Sequence, residues 1–435
     1  MNGISPPKTA VCNITRMRGD PERCFRQWQQ EAAQGLLLVE FTVSEAWLEH
    51  KRDRLLTALF CQSANVLSMT VTDHALHEDG VPFLKQYAIW LERHELLSFR
   101  PGSALTLLPK IVTKPWGDEV WYSGVERRGV CEVESGGRRV PLPWLQAAWP
   151  AALSGIPAEP LLLVKRLLPS GKPIEGDLYF ELHETKYESY VVTSIDPVAW
   201  SDGVGHVRLG FCPQKRAAYA SDDAFRDAYL ASVLAYEAQR RKVDEELALG
   251  RLLAYEDAAK ERELRVEMDQ FTHRLPVRVG DAVIVPPRVP HALQHGVQVL
   301  EVQTPTYERK ILSFAQKVRT QSHWDTREAV PIMRLQPPPQ PPPMEVPGPA
   351  NSLTTRISHC AEFEVLRVVL NAGSEGTFTT ENDYCVLVVI YGQLSLEGKM
   401  FGPNEALLLP RHWKGKLVAY GSAPQLSLIL ARPTG

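Results

Sequence analysis

The sequence predicts a mainly β protein: two all-β units joined by a proline-rich spacer, with a helical insert in the first unit and a mixed, largely helical segment ahead of it. Three observations carry this reading. Short β-branched and leucine-rich runs, punctuated by Gly, Pro and Asn, recur through 101–217, 275–315 and 350–435, the texture of a sandwich or barrel. A proline-free, charged stretch with one apolar stripe interrupts them from Ser221 to Met268. QPPPQPPPMEVPGP, with eight prolines among residues 337–349, sets the last run apart.

Taken in order, residues 1–100 read as mixed and mostly helical, as in AWLEHKRDRLLTALFCQ and VPFLKQYAIWLERHELL. Asp73, His74 and His77 there read as solvated loop residues. The first β unit spans 101–334, with strands such as SALTLLPKIV, EPLLLVKRLL, GDLYFELH, ESYVVTSID and VQVLEVQ. Its insert, about 219–270, is rich in helix formers. Phe225, Tyr229, Val233, Tyr236, Val243 and Leu247 form a stripe that packs on the chain's own β unit. Ser221 is placed as N-cap, with Asp222 and Asp223 suiting the helix dipole. Proline removes donors and fixes φ, so 335–349 reads as a semi-rigid extended spacer rather than a peptide ligand. The final unit, 350–435, holds His359, Glu381 and His412 but no H-x-H or E-x-H pair on a strand. It is expected to carry no metal and to cover the first unit.

Composition narrows the function classes. With 48 Lys+Arg against 51 Asp+Glu, the formal charge of −3 argues against a nucleic-acid or anionic-membrane binder. No run approaches the ~18 apolar residues of a membrane span, and the first residues lack the apolar stretch of a leader. Seven scattered cysteines without C-x-x-C read as reduced thiols in a cytoplasmic protein.

Two short motifs carry chemistry. In GDLYFELHETKYES, Glu181 and His183 sit at i and i+2 and so share one face of a strand. Glu188 opens the next strand and is expected to return beside them in an antiparallel pair. Buried together, such groups are costly without a cation, because the carboxylates repel and each loses solvation. In GDAVIVPPRVPHALQHG, Gly280-Asp281 makes a turn, AVIVP a strand, Pro286 and Pro290 bracket a bend, and His291 opens the following strand. The pair resembles the two signatures of the cupin, or double-stranded β-helix, barrel. The first has the form G-x5-H-x-H-x4-E, here with Glu181 in the place of the first histidine and one residue fewer after Gly176. The second has the form G-x5-P-x-G-x-x-H, here with Arg288 in the glycine place. The fold expected is therefore two cupin barrels. The ligand set would be Glu181, His183, Glu188 and His291 around one divalent ion. Nitrogen and oxygen ligands suit zinc, manganese or iron.

These residues resemble the type I mannose-6-phosphate isomerase family over roughly 110–435. Lys114-Pro115-Trp116-Gly117 is similar to its K-P-W-G segment, LLLVKRLL with Lys165 to its strand before the metal motif, and Lys186-Tyr187-Glu188 to its K-x-E. PPRVPHAL resembles its P-G-T-x-H-A, and Glu301-Val302-Gln303 its E-I-Q strand. The family also has a helical insert between the metal motifs and a cupin-like C-terminal domain without metal. Here the family's glutamine ligand is Glu181, and only four residues separate His183 from Glu188 where the family has a long loop. The resemblance implies a sugar-phosphate isomerase working through a cis-enediol, with zinc the first expectation and manganese or iron the alternatives. It implies Glu301 as base, and Arg309 or Lys310, in TPTYERKIL, to stabilise enediolate charge. Lys165, Lys186 and Arg288 are expected to contact a sugar or sugar phosphate. A non-catalytic sugar-binding cupin, or a cupin enzyme of another class such as a dioxygenase, are the competing readings.

Overall fold

The computed structural model describes residues 13–31, 34–45, 50–126, 129–319 and 321–434. The first twelve residues, read above for a leader and containing Cys12, lie outside them, as do residues 46–49 of the AWLEH stretch.

The chain is mainly β. A six-stranded sheet includes Gly117–Trp121, Leu163–Pro169, Glu188–Ile195, Ala282–Val285 and Val297–Gln303. A five-stranded sheet includes Phe180–Leu182, Gly205–Phe211, Thr272–Val277, His291–Leu293 and Lys310–Ser313. Their facing side chains, among them Leu167, Val192, Val207, Leu293, Val299 and Ile311, form one buried core. Strand alternation then sorts the residues of each strand. In Val297–Gln303, Leu300 and Val302 point outward into a second core, so Glu301 and Gln303 are left on the inner face with Val299. Lys165 and Glu188 are inward for the same reason.

The insert behaves as its stripe predicts. Helix Asp222–Ala248 starts at Ser221, whose side chain accepts from the Ala224 N–H. Phe225, Tyr229, Val233 and Tyr236 pack with Leu182, Phe211, Ala292 and Leu312, on the outer face of the five-stranded sheet. Val243 is buried, whereas Leu247 is exposed. The insert thus seals the back of the sheet that carries Glu181, His183 and His291.

The C-terminal residues build a nine-stranded and a four-stranded sheet around a core of their own. Here the division at residue 101 needs correcting. Strands Leu105–Leu108, Glu132–Ser135 and Arg138–Pro141 join the nine-stranded C-terminal sheet, Leu105–Leu108 pairing with Ala406–Leu409. Alternating apolar strands carry no mark of which sheet they will extend.

The N-terminal region also departs from expectation. It is a four-stranded sheet, Ile14–Arg18, Gly35–Glu45, Arg52–Ser63 and Val66–Thr72, with helix Pro21–Glu31 on one face and Phe83–Arg93 on the other. VPFLKQYAIWLERHELL contains the second helix. The described part of AWLEHKRDRLLTALFCQ is a strand: Leu56, Ala58 and Phe60 enter one core, Leu59 and Cys61 the other. A strand buried on both faces loses its polar alternation and looks like a buried helix.

The proline-rich segment does more than span a gap. The Gln340 side-chain amide accepts from the Ile284 N–H at 2.8 Å and donates to the Ile284 carbonyl at 3.0 Å, satisfying the outer edge of strand Ala282–Val285 as a partner strand would. Among the described residues no helix is long and apolar enough to cross a membrane.

Candidate metal centre

Glu181 and His291 are direct cross-strand partners in the five-stranded sheet, and His183 follows one residue past the end of Phe180–Leu182. All three turn into the sandwich, and their ligand atoms lie within 4.8 Å of one another. Glu188 arrives differently from the expectation. Its strand pairs with Ala282–Val285 and Val297–Gln303 in the opposite sheet, so it reaches the histidines across the interior. Its Oε1 lies 3.2 Å from His183 Nε2 and its Oε2 3.1 Å from His291 Nε2.

The second motif's turn is built as its spacing requires. Arg288, in the glycine place, has φ of 64°, the left-handed region that glycine occupies at least cost. Its backbone N–H donates to the His183 carbonyl at 2.6 Å, tying the two motifs together.

Each imidazole is oriented by a backbone acceptor. His183 Nδ1–H donates to the Glu308 carbonyl at 2.6 Å, and His291 Nδ1–H to the Val289 carbonyl at 2.9 Å. With the protons on Nδ1, both Nε2 lone pairs point at Glu188, and both Nε2 atoms are buried without a hydrogen-bond partner. This is the outer-sphere arrangement that metal-binding histidines use. A lone pair facing a carboxylate oxygen at ~3 Å is repulsive unless a proton or a cation lies between. Burial lowers the His291 pKa, but the adjoining Glu188 carboxylate outweighs it and leaves it raised, so a proton can serve there. At His183 burial, aided by the Lys186 ammonium, outweighs the same carboxylate and holds the pKa low and the ring neutral. The donor set fits a divalent cation held by Glu181, His183 and His291, with Glu188 alongside.

Lys186 and Lys165 both line a pocket in front of these residues. Lys186 Nζ is 2.6 Å from Glu188 Oε1. Burial alone would raise the Glu188 pKa, but Lys186 and the histidines hold it well below the ordinary carboxylate range. Lys165 Nζ is 3.2 Å from Glu301 Oε1. Glu301 stands behind Lys165, 2% exposed and off the pocket lining; burial and the Glu188 charge push its pKa up to about 8. Arg309 lines the pocket, with Nε 3.7 Å from Glu181 and its guanidinium over the Tyr179 ring. Two expected residues lie elsewhere. Lys310 turns to Glu184 and Glu328, because the strand's alternation sends it away from the neighbouring Arg309. Arg288 is exposed and not in the lining; its backbone, not its charge, serves the site.

Several contributors escaped the sequence reading. Glu119 is buried between Lys114, at 3.1 Å, and the Trp121 indole N–H, at 2.8 Å. Trp121 and Glu119 oppose Lys165 and Leu167 in the adjoining strand, and the spacing after Gly117 could have flagged them. Glu308 caps the His183–Glu188 loop, its Oε1 accepting from the N–H groups of Thr185 and Lys186 and from the Thr185 hydroxyl. Tyr190 donates to Glu188 Oε2 at 3.0 Å. Nothing local marks Glu308 as the cap of a loop so distant in the chain.

This architecture has counterparts among solved structures. The mannose 6-phosphate isomerase of Bacillus subtilis superposes with a TM-score of 0.54 at 14% identity, covering 76% of this chain and 99% of its own. A zinc-bound mannose 6-phosphate isomerase and an E134A mutant of the Salmonella typhimurium phosphomannose isomerase both give 0.53 at 12% identity, over 75% of this chain and 99% of theirs. The likeness is one of fold. No protein-family model and no curated protein sequence matches the chain.

Proposed function

We propose that this chain is a metal-dependent aldose–ketose isomerase acting on a small sugar or sugar phosphate. The observation that carries the proposal is the convergence of two buried, carbonyl-oriented imidazoles and Glu181 on one point at the floor of a polar pocket. That pocket encloses about 210 Å³, below the ~300–1,000 Å³ of sites for drug-sized ligands, and so suits a small polar molecule. The solved relatives of this fold are named for that chemistry, which supports the reading.

A bound zinc, manganese or iron ion would polarise a carbonyl or hydroxyl of the sugar. The chain's own groups supply the rest. Isomerisation moves a proton between adjacent carbons through a cis-enediol, which needs a group that exchanges a proton near neutrality. Glu301, its pKa pushed up to about 8, is the group suited to that role; Lys165, 3.2 Å from it and on the pocket lining, stays protonated, because Glu301, Glu119 and Glu188 outweigh the burial of its ammonium. Arg309 steadies negative charge developing on the substrate oxygens, and Lys186 keeps Glu188 ionised.

The test is elemental analysis of the purified protein, followed by turnover of an aldose–ketose panel that includes mannose 6-phosphate. About one equivalent of divalent metal and measurable turnover, both lost in His291→Ala, are expected. Failure to retain metal after loading, or a His291→Ala enzyme as active as the parent, would overturn the proposal. Iron accompanied by oxygen uptake would overturn it in favour of an oxygenase.

A further inference from the structure

Beside the polar pocket lies a second cavity of about 260 Å³ whose walls are apolar: Val43, Pro143, Ala147, Leu161, Leu163 and Pro305. Gln146 shares the wall but donates its amide N–H groups to the carbonyls of Pro157 and Glu159. The two cavities abut, since Leu163 and Tyr307 belong to the lining of both. Gly124 stands where they meet. A Cβ there would run 1.7 Å from Leu163 Cδ2 and 3.2 Å from the Tyr307 hydroxyl, so a side chain would push into both shared walls. Val43 belongs to the N-terminal sheet, which therefore closes this cavity from outside the two-sheet sandwich.

The cations of the polar pocket are already engaged. Its four cations each face a carboxylate: Lys114 and Glu119 at 3.1 Å, Lys165 and Glu301 at 3.2 Å, Lys186 and Glu188 at 2.6 Å, Arg309 and Glu181 at 3.7 Å. An apolar group has a prepared place next door, in the cavity beyond Leu163 and Tyr307.

We infer that the ligand of this site is a sugar bearing a small apolar substituent, such as an acyl or aryl group, at the end away from its reacting carbons. The polyol sits against Lys165, Lys186 and His183, and the substituent fills the cavity between Ala147, Leu161 and Val43. An apolar cavity of ~150 Å³ accepts a benzene ring, so this one has room for a phenyl or short alkyl group. The inference rests on the isomerase reading for the polar end only. It also gives the N-terminal domain a role in choosing the substrate.

The experiment is calorimetric titration of zinc-loaded protein with mannose, mannose 6-phosphate and 6-O-benzoyl-mannose. The benzoyl ester is expected to bind at least tenfold more tightly than either of the others. Ala147→Trp, which fills the cavity without touching the polar pocket, should abolish that preference while leaving mannose affinity within about twofold; Val43→Phe serves if Ala147→Trp fails to fold. Equal affinities in the wild-type protein, or tightest binding of the phosphate, would overturn the inference. Tight benzoyl binding without any turnover would sink the isomerase reading and leave this one standing. Turnover of mannose 6-phosphate with no apolar preference would do the reverse.

Discussion

Replacing Glu308 with alanine is expected to weaken metal binding although Glu308 is no ligand. Its Oε1 accepts from the Thr185 hydroxyl at 2.7 Å, from the Lys186 N–H at 2.9 Å and from the Thr185 N–H. Those bonds hold the short loop between His183 and Glu188. Its backbone carbonyl, which orients His183, survives the substitution. A hydrogen bond to a charged acceptor contributes ~1.5–3 kcal/mol. These three share one oxygen at a solvent-accessible rim, so a combined loss of about 2 kcal/mol is the reasonable figure. At ~1.4 kcal/mol per tenfold, that weakens zinc on the order of 30-fold, within the 10–100-fold range typical of outer-sphere partners. Glu308→Gln keeps a carbonyl acceptor and should lose roughly fivefold, since neutral bonds are about half as strong. Zinc affinity would be measured by competition with a chromogenic chelator, alongside urea unfolding of the metal-free proteins. Affinity within twofold of wild type in Glu308→Ala, whatever happens to the melting temperature, would refute the claim that this loop's order sets the site.

Other outcomes follow from particular residues. Arg288→Gly should raise the urea midpoint, by an amount corresponding to ~0.5–1 kcal/mol, because glycine takes the left-handed φ of 64° without strain; a fall would show that the arginine side chain matters more than its backbone. Asp177 accepts from the His295 ring at 2.7 Å and from its backbone N–H at 2.9 Å. Burial opposes its ionisation, but those bonds outweigh it and lower the pKa from 3.8. The native state then resists a proton that the unfolded state accepts. The stabilisation is present above about 3.8 and is lost as pH falls through the native value. Wild type should therefore exceed Asp177→Asn in urea stability at pH 7, with the gap closing in strong acid. Burial pushes the thiols of Cys61, Cys131 and Cys385 up to about 11, 12 and 12. At pH 8 a disulfide reagent should leave these three unmodified until denaturant is added, as peptide mapping would show.

The parts of this protein legible in its sequence are those whose cause is local. Ser221 followed by acidic residues starts a helix because a hydroxyl and a helix dipole act within one turn. Glu181 and His183 share a face because a strand repeats every two residues. The Pro286–Pro290 turn delivers His291 because proline and a left-handed residue bend the chain in a set way. The N-terminal strands were not legible, since a segment covered on both faces shows no period that separates strand from helix. Nor did any local pattern give the sheet that residues 105–108 would extend.

What only tertiary structure decided is who stands opposite whom. Glu188 meets His183 and His291 from the other sheet; Glu308, more than a hundred residues from the loop it caps, fixes His183; Val43, from the N-terminal sheet, walls a cavity beside the pocket. Sequence determined that acids and imidazoles would face inward, because inward or outward is a question of alternation along one strand. Distances between strands depend on how sheets twist and stack, and those follow from the packing of whole cores, to which each residue contributes only a fraction.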